Sequence, residues 1–324
     1  MPGGQERVLR RRIRSVRATQ KITRAFELIA ASQIVRAQGR IAGAAPYQHG
    51  IAEVLAEAAA DAVEGAGRLL GAPESPQKVL LLAIVADRGL CGAYNVNVLR
   101  SSERTIRAGM AGGIEYRIMA AGRKAQSFFR FRRLELEVAF TGMSDRPTFE
   151  DARRVADAVT TPFLAEEVDQ VVVVSTRFLS AGIQTVETRQ LLPLPEPTGG
   201  EPGQAGAGDG TFDEARDDAS RTAGEEARRT RREGYIEFEP PSPDLLAELV
   251  PRYAEAAVFG AMLEAAASEH TARQRAMAAA TENADELVKT FTRAMNRARQ
   301  DAITTEIMEI VGGGEALRRE RRHQ

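Results

Sequence analysis

The 324-residue sequence predicts an α plus α/β fold, in which two long helices at the ends of the chain accompany a small α/β domain. Apolar residues recur at helical intervals through both ends, whereas strand patterns alternate with helical patterns in the middle. Aromatic residues make up only 5% of the chain and tryptophan is absent. This composition favours closely packed helices rich in alanine.

The first predicted element is a helix from residue 5 to about residue 64. Its apolar residues lie three and four positions apart, and we expect Pro46 to kink it. The first 40 residues carry ten basic and two acidic side chains, a net charge of +8. Because the pattern continues without a break into alanine-rich helix, we interpret this segment as mature structure rather than a transit peptide.

Five strands are predicted between residues 78 and 194. Helical stretches separate the first four strands, which indicates an open, largely parallel sheet of Rossmann-like type with helices packed on it. The predicted strands are 79–86, 114–120, 134–140, 171–176 and 184–191. The longest aliphatic run, 79–86, has eight residues, whereas a membrane-spanning helix needs roughly 20.

The segment 196–234 is predicted to be a disordered, acidic and glycine-rich insertion. Eight of the fourteen residues in 197–210 are glycine or proline, and the stretch 196–239 holds twelve acidic and six basic residues. A segment of this composition buries too little apolar surface to offset the entropy lost on ordering.

A second long helix is predicted over 244–311, and three consecutive glycines, 312–314, predict its end. Its apolar residues follow spacings of three, four and then seven, which is typical of a coiled-coil seam. Since neither terminal helix would be stable alone in water, we expect them to pair as a long antiparallel coiled coil. The predicted domains are 1–70 (first helix), 75–195 (α/β domain), 196–234 (insertion) and 235–324 (connecting segment and second helix).

The sequence contains no recognisable catalytic motif. A phosphate-binding loop of the G-x-x-x-x-G-K-[ST] type is missing, and the single cysteine, Cys91, has no candidate base nearby. His49, His270 and His323 lack the spacing of metal ligands. We therefore predict no catalytic residue, no cofactor and no metal. Two alternatives stay open: an adaptor that binds nucleic acid through the basic N-terminal helix, and an enzyme that uses the loop around Cys91.

Several segments resemble the gamma-subunit family of F-type ATP synthases. At the N-terminus these are Arg11-Arg12-Ile13-Arg14-Ser15-Val16, Thr19-Gln20-Lys21-Ile22-Thr23-Arg24-Ala25 and Ala30-Ala31-Ser32. In the middle, Asp87-Arg88-Gly89-Leu90-Cys91-Gly92-Ala93-Tyr94-Asn95 resembles the central-domain loop of that family. The strongest matches lie in the C-terminal helix and include Ala267-Ser268-Glu269-His270, Ala280-Thr281-Glu282-Asn283-Ala284 and Asn296-Arg297-Ala298-Arg299-Gln300. The resemblance covers nearly the whole chain except about 196–234.

The resemblance implies a rotor and not a catalyst. In the family, the terminal helices form an asymmetric shaft inside a hexamer of alpha and beta subunits, and the α/β domain forms a foot on the membrane c-ring beside the epsilon subunit. Ion flow turns the ring and the shaft, which drives the catalytic beta subunits through successive conformations. The resemblance also implies no direct small-molecule substrate, no nucleic acid partner and a peripheral position on the cytoplasmic side of the cell membrane.

Contact residues are implied in the same way. The positions that match beta-subunit contacts are Arg299, Gln300, Thr304 and Glu306. Arg273 matches an arginine of the upper shaft that is implicated in coupling, and Phe26 stands in the facing helix where many members have methionine. Phe238 and Glu239 resemble an aromatic-Glu-Pro segment that contacts the ring and the epsilon subunit.

Overall fold

The computed structural model describes residues 3–61, 69–71, 75–194 and 242–322. In chain order the elements are α1 (Gly3–Asp61), β1 (Lys78–Ile84), α2 (Tyr94–Ala111), β2 (Glu115–Ala121), α3 (Arg123–Phe131), β3 (Val138–Phe140), α4 (Phe149–Leu164), β4 (Gln170–Phe178), β5 (Gln184–Leu192) and α5 (Ser242–Arg322). The predicted fold class is confirmed, because long terminal helices accompany a five-stranded α/β domain. The predicted insertion 196–234, together with Phe238 and Glu239, lies outside the described residues.

The chain divides by its contacts into two compact units. The first comprises Met1–Ile34, Leu90–Gly92 and His270–Gln324. The second comprises Val35–Gly89 and Ala93–Glu269. Each terminal helix therefore contributes one part to each unit. The domain boundaries inferred from the sequence remain predictions.

The sheet of the second unit has the strand order β3-β2-β1-β4-β5. The first four strands are parallel, as predicted, and β5 pairs with β4 in the antiparallel direction. Alternate residues of β1 point to opposite faces of the sheet. Leu80 and Leu82 join a core with α4 and parts of α1 and α5, whereas Leu81 and Ala83 join a core with α2 and α3. Helices on both faces explain why β1 is buried from Val79 to Ile84.

The third strand is shorter than the predicted 134–140 and spans only Val138–Phe140. Arg133 adopts a positive φ of 57°, and the Leu134 N–H donates to the Phe129 carbonyl at 3.0 Å, which closes the end of α3. Leu134 and Leu136 pack against the core beside α2 and α3 without joining the sheet. Their apolar character therefore reflects packing and not strand pairing.

The predicted end of the second long helix at the glycines 312–314 is wrong, because α5 continues to Arg322. A glycine ends a helix most effectively when it adopts a left-handed conformation. The glycines of 312–314 are not among the residues with positive φ, so they keep helical backbone angles. The next residues, Glu315 to Arg318, are good helix formers, which favours continuation.

The first unit contains the predicted antiparallel helix pair. The hydroxyl oxygens of Thr23 on α1 and Thr281 on α5 lie 2.8 Å apart, and the side chain of Gln20 hydrogen-bonds Asp285. The residue number rises along α5 as it falls along α1, which is the antiparallel arrangement. Buried residues at seven- and four-residue spacing in this unit's helices include Thr23 and Ala30 on α1, and Met277, Ala284 and Val288 on α5.

Within the second unit, the parts of α1 and α5 that belong to it also contact each other. Gln48 on α1 donates to the carbonyl of Ala256 on α5 at 3.3 Å. Gly260 lies so close to Gln48 that an added Cβ would stand 2.5 Å from the amide nitrogen. Helix α1 runs through Pro46 without ending there.

Candidate functional site

The C-terminal part of α5 extends past the first residue of α1. Thr23 of α1 lies opposite Thr281 of α5, and Gln20 lies opposite Asp285. In this register Gly3, the first residue of α1, lies opposite a position near residue 302 of α5. Residues of α5 beyond that position have no partner on α1. Within the described chain, this stretch is therefore a single helix.

Large apolar side chains line one side of that single helix. They are Ile303 (47% exposed), Ile307 (54%), Ile310 (68%) and Val311 (58%). Spacings of four, three and one place them on one face, which we call the tip stripe. A contiguous exposed apolar surface marks a site of interaction with another protein. The sequence showed this spacing, but only the register of the two helices shows that the stripe is uncovered.

The four residues that match beta-subunit contacts lie next to the tip stripe. Arg299, Gln300, Thr304 and Glu306 are all exposed. Arg299 and Glu306 share the helix face of Ile303, and Gln300 and Thr304 share that of Ile307. Within the described residues neither Arg299 nor Glu306 forms an ion pair, so both side chains are available to a partner.

Arg273 and Phe26 occupy different environments from those four residues. Arg273 is only 9% exposed, and its Nη1 lies 3.4 Å from Nδ1 of His270, which is also buried. A buried guanidinium requires hydrogen-bonding partners, so Arg273 is part of the packing inside the first unit. Phe26 is 40% exposed on α1. The structure does not bring Phe26 or Arg273 to the tip stripe.

The loop that follows β1 is organised by a carboxylate that the sequence reading did not single out. Asp87 accepts backbone N–H bonds from Arg123 at 2.9 Å, Gly142 at 2.8 Å and Ser144 at 3.2 Å. Burial raises the pKa of Asp87, but these backbone donors outweigh it and leave the pKa below its ordinary value. The Asp87 carboxylate thereby connects the segment after β1 by hydrogen bonds to the segments that follow β2 and β3. The available signals were its position directly after the first strand and its place at the start of the segment that resembles the central-domain loop of the family.

Cys91, in the same loop, is 1% exposed. A nucleophile must be reached by its substrate, so this burial argues against the enzyme alternative. The second unit contains a small cavity, and its lining is largely apolar with one carboxylate, Glu269. Among the described residues no three His, Cys, Asp or Glu side chains are grouped so that they could hold a metal ion. None of the described helices has the length and apolarity to cross a membrane.

Comparison with known proteins identifies the family. Residues 5–317 match the family model described as ATP synthase. The ATP synthase gamma chain of Frankia casuarinae is 41% identical over 318 residues, which cover 97% of this chain and 98% of the relative. The chain belongs to the ATP synthase gamma chain family. The gamma chain of Acidothermus cellulolyticus is 42% identical over 320 residues, with the same coverage.

Two solved structures of ATP synthases contain chains with a similar fold. A chain of the Euglena gracilis mitochondrial ATP synthase, from a structure described as OSCP/F1/c-ring in rotational state 3, matches with a TM-score of 0.64 at 18% identity. The match covers 97% of this chain and 95% of that chain. A chain from a structure of the Tetrahymena thermophila mitochondrial ATP synthase, described as central stalk and c-ring, matches with a TM-score of 0.57 at 21% identity. This match covers 80% of the present chain and 99% of the Tetrahymena chain. The family assignment gives no support to the nucleic-acid alternative.

Proposed function

We propose that this chain is the non-catalytic central-stalk rotor of an ATP synthase. Its proposed partners are the hexamer of alpha and beta subunits, the epsilon subunit and the membrane c-ring, and its proposed place is the cytoplasmic side of the cell membrane. The tip stripe carries the proposal, because it is an exposed apolar helix face bordered by Arg299, Gln300, Thr304 and Glu306. Membership of the gamma chain family supports the same role.

A single protruding helix is suited to act on three surrounding sites in turn. A helix has no rotational symmetry about its axis, so each surrounding subunit meets a different set of side chains. The tip stripe is apolar along Ile303 and Ile307 and is bordered by Arg299 and Glu306, whereas the opposite face of the helix presents Asp301 and Thr305. Different contacts stabilise different conformations of the contacted subunit. Rotation of the helix then moves each subunit through the same series of conformations.

The absence of catalysis in this chain is part of the proposal. Cys91 is buried, and the one cavity considered above offers a single carboxylate, Glu269, in a largely apolar lining. A nucleophile has to be reached by its substrate and needs an activating group beside it, and a lone carboxylate in an apolar lining is not such a pair. We therefore propose that bond formation in ATP takes place on other subunits and that this chain transmits torque.

The first experiment tests assembly and residue assignment together. The tagged chain is expected to co-purify with alpha, beta and epsilon subunits, and the reconstituted complex is expected to synthesise ATP when an ion gradient is applied. Replacing Arg299→Ala and Gln300→Ala together should lower synthesis by roughly tenfold, the effect of losing about 1.4 kcal/mol of coupling. Arg293→Ala, an exposed arginine two turns earlier on α5, serves as the control.

The outcomes separate the two claims. If the chain does not co-purify with the other subunits, the rotor proposal is wrong. If assembly is normal and the double variant synthesises ATP as fast as the Arg293→Ala control, the rotor proposal stands but the assignment of Arg299 and Gln300 does not.

A further inference from the structure

The ends of α2 and α3 form a concentrated basic surface. We call Arg107, Arg130, Arg132, Arg133 and Phe131 the basic corner. All five residues are exposed. The remainder of α2 adds Arg100 and Arg104, and the single acidic residue in the two helices is Glu103.

Glu103 holds the two helices of the basic corner together. Its carboxylate accepts a hydrogen bond from Arg107 at 2.8 Å and lies 3.3 Å from Nε of Arg132. The guanidinium of Arg132 also stands over the ring of Phe128, 5.5 Å from its centroid. Within the described residues Arg130 and Arg133 make no ion pair. The corner is therefore fixed in place and keeps excess positive charge.

Phe131 is the unusual member of the basic corner. It is 81% exposed, more than any other large apolar residue in the described chain. Phe128 and Phe129, three and two residues earlier, pack edge to face with ring centroids 5.6 Å apart and contribute to the core. Arginine at a helix C-terminus is explained by the helix dipole, but that effect does not account for an exposed phenyl ring among three arginines. The combination is typical of a surface that contacts a lipid interface.

The topology places the basic corner at one edge of the sheet. Helix α2 leads from the end of β1 to the start of β2, and α3 leads from the end of β2 towards the start of β3. Since these strands are parallel, the last turns of both helices lie near the edge where the strands begin. The Asp87 loop and the turn after β4 lie at the opposite edge. The corner is thus separate from the loop described above.

We propose that the basic corner contacts an anionic membrane surface. The ring of Phe131 enters the headgroup region, and Arg107, Arg130, Arg132 and Arg133 bind lipid phosphates. A bilayer offers phosphates and an apolar layer to the same corner, whereas an acidic polypeptide such as the 196–239 stretch offers mainly carboxylates. The choice of a membrane rests on the proposed function, which places the chain in a membrane-bound complex.

The lack of tryptophan makes a local test possible. Phe131→Trp in the full chain gives a single probe in the basic corner, and Leu179→Trp gives a control at the opposite edge, where Leu179 is 54% exposed. With vesicles of phosphatidylglycerol and brominated phosphatidylcholine, emission from position 131 should shift to the blue and be quenched. Emission from position 179 should not change. A local probe is needed because the basic N-terminal helix, with a net charge of +8 over 40 residues, can itself bind anionic vesicles.

A second variant tests the role of charge. Adding Arg130→Gln, Arg132→Gln and Arg133→Gln to the Phe131→Trp chain should weaken partitioning at this site by roughly 100-fold. Circular dichroism of the same protein verifies that it folds. Neutral vesicles of brominated phosphatidylcholine should give little quenching of the parent probe.

Three results of the vesicle experiments would overturn the lipid contact. These are no quenching at position 131, equal quenching at positions 131 and 179, and equal quenching by neutral and anionic vesicles. A photoreactive residue at position 131 in the assembled complex should capture lipid, and capture of the 196–239 stretch or of another subunit would also overturn it. None of these results affects co-purification with the other subunits, so failure here leaves the rotor proposal to its own test.

Discussion

Gly122 occupies a position that only glycine fits. It follows β2 and caps the start of α3 with φ of 120°, a value that side chains rarely adopt. Its N–H donates to the Phe140 carbonyl at 2.7 Å, and an added Cβ would stand 2.1 Å from the carbonyl oxygen of Val85. That contact is with backbone, so no side-chain rotation can relieve it.

We expect Gly122→Ala to lower the free energy of unfolding by about 2–4 kcal/mol, since it adds a backbone clash to an unfavourable φ. Gly113→Ala is the matched control, because Gly113 also has a positive φ of 86° but nothing lies within 4 Å of its added Cβ. The control should cost only about 1–2 kcal/mol. Urea unfolding of the two variants measures both values. Equal losses would show that backbone strain, and not the clash with Val85, sets the cost.

Among the elements, α5 and the end of β4 are joined by a largely buried carboxylate. Glu264 of α5 accepts a hydrogen bond from the Phe178 N–H at 3.3 Å. Burial raises the pKa of Glu264, while the Phe178 N–H and the charges of Arg189 and Arg177 oppose that rise and Glu187 adds to it. The folded chain thus holds this proton to a higher pH than the unfolded chain does.

This raised pKa predicts a pH-dependent effect of Glu264→Gln. A carboxyl group with a raised pKa in the folded state loses stabilising free energy as the pH rises through that pKa. The neutral amide avoids this loss and keeps an acceptor for Phe178. We expect Tm to rise on the order of 2 °C at pH 8 and to change little at pH 4.5. Thermal unfolding at both pH values checks this, with the exposed Glu282→Gln as control. An equal shift at both pH values would rule out a titration effect.

At the scale of the whole molecule, the formal charge of -1 conceals opposite charges in separate parts of the chain. The first 40 residues carry +8 and the 196–239 stretch carries -6, from twelve acidic and six basic residues. Within a rotor, the acidic insertion would precede the segment containing Phe238 and Glu239, which we predict to contact the ring and the epsilon subunit. Our hypothesis is that the insertion modulates rotation or the inhibition of ATP hydrolysis.

Deleting residues 198–233 tests this hypothesis in the assembled complex. We expect the ratio of ATP hydrolysis to ATP synthesis to change by about twofold or more, an effect that needs only about 0.4 kcal/mol of differential stabilisation. Both rates are measured in the same reconstituted vesicles, with subunit composition as the control for assembly. Unchanged rates of synthesis and hydrolysis would show that the insertion is a passive connection.

The sequence alone determined the helical ends of the chain, the strands β1, β2, β4 and β5 to within about two residues, and the family. It could do so because helical and strand periodicity are local and because motifs such as Asn296-Arg297-Ala298-Arg299-Gln300 are read directly. It also supplied the candidate contact residues around Arg299. It failed at the glycines 312–314, where neighbouring residues outweighed a local signal for a helix end.

Only the tertiary structure decided which of these residues face outward. Arg273 and Ile303 both belong to α5, but the arginine is buried and the isoleucine is exposed, the reverse of what their polarity suggests. Likewise, Phe129 packs in the core while Phe131, two residues later, is exposed. Exposure depends on what lies opposite each side chain, and residues distant in the sequence supply that neighbour. For this reason the tip stripe and the basic corner could be found only after the helices and strands had been placed.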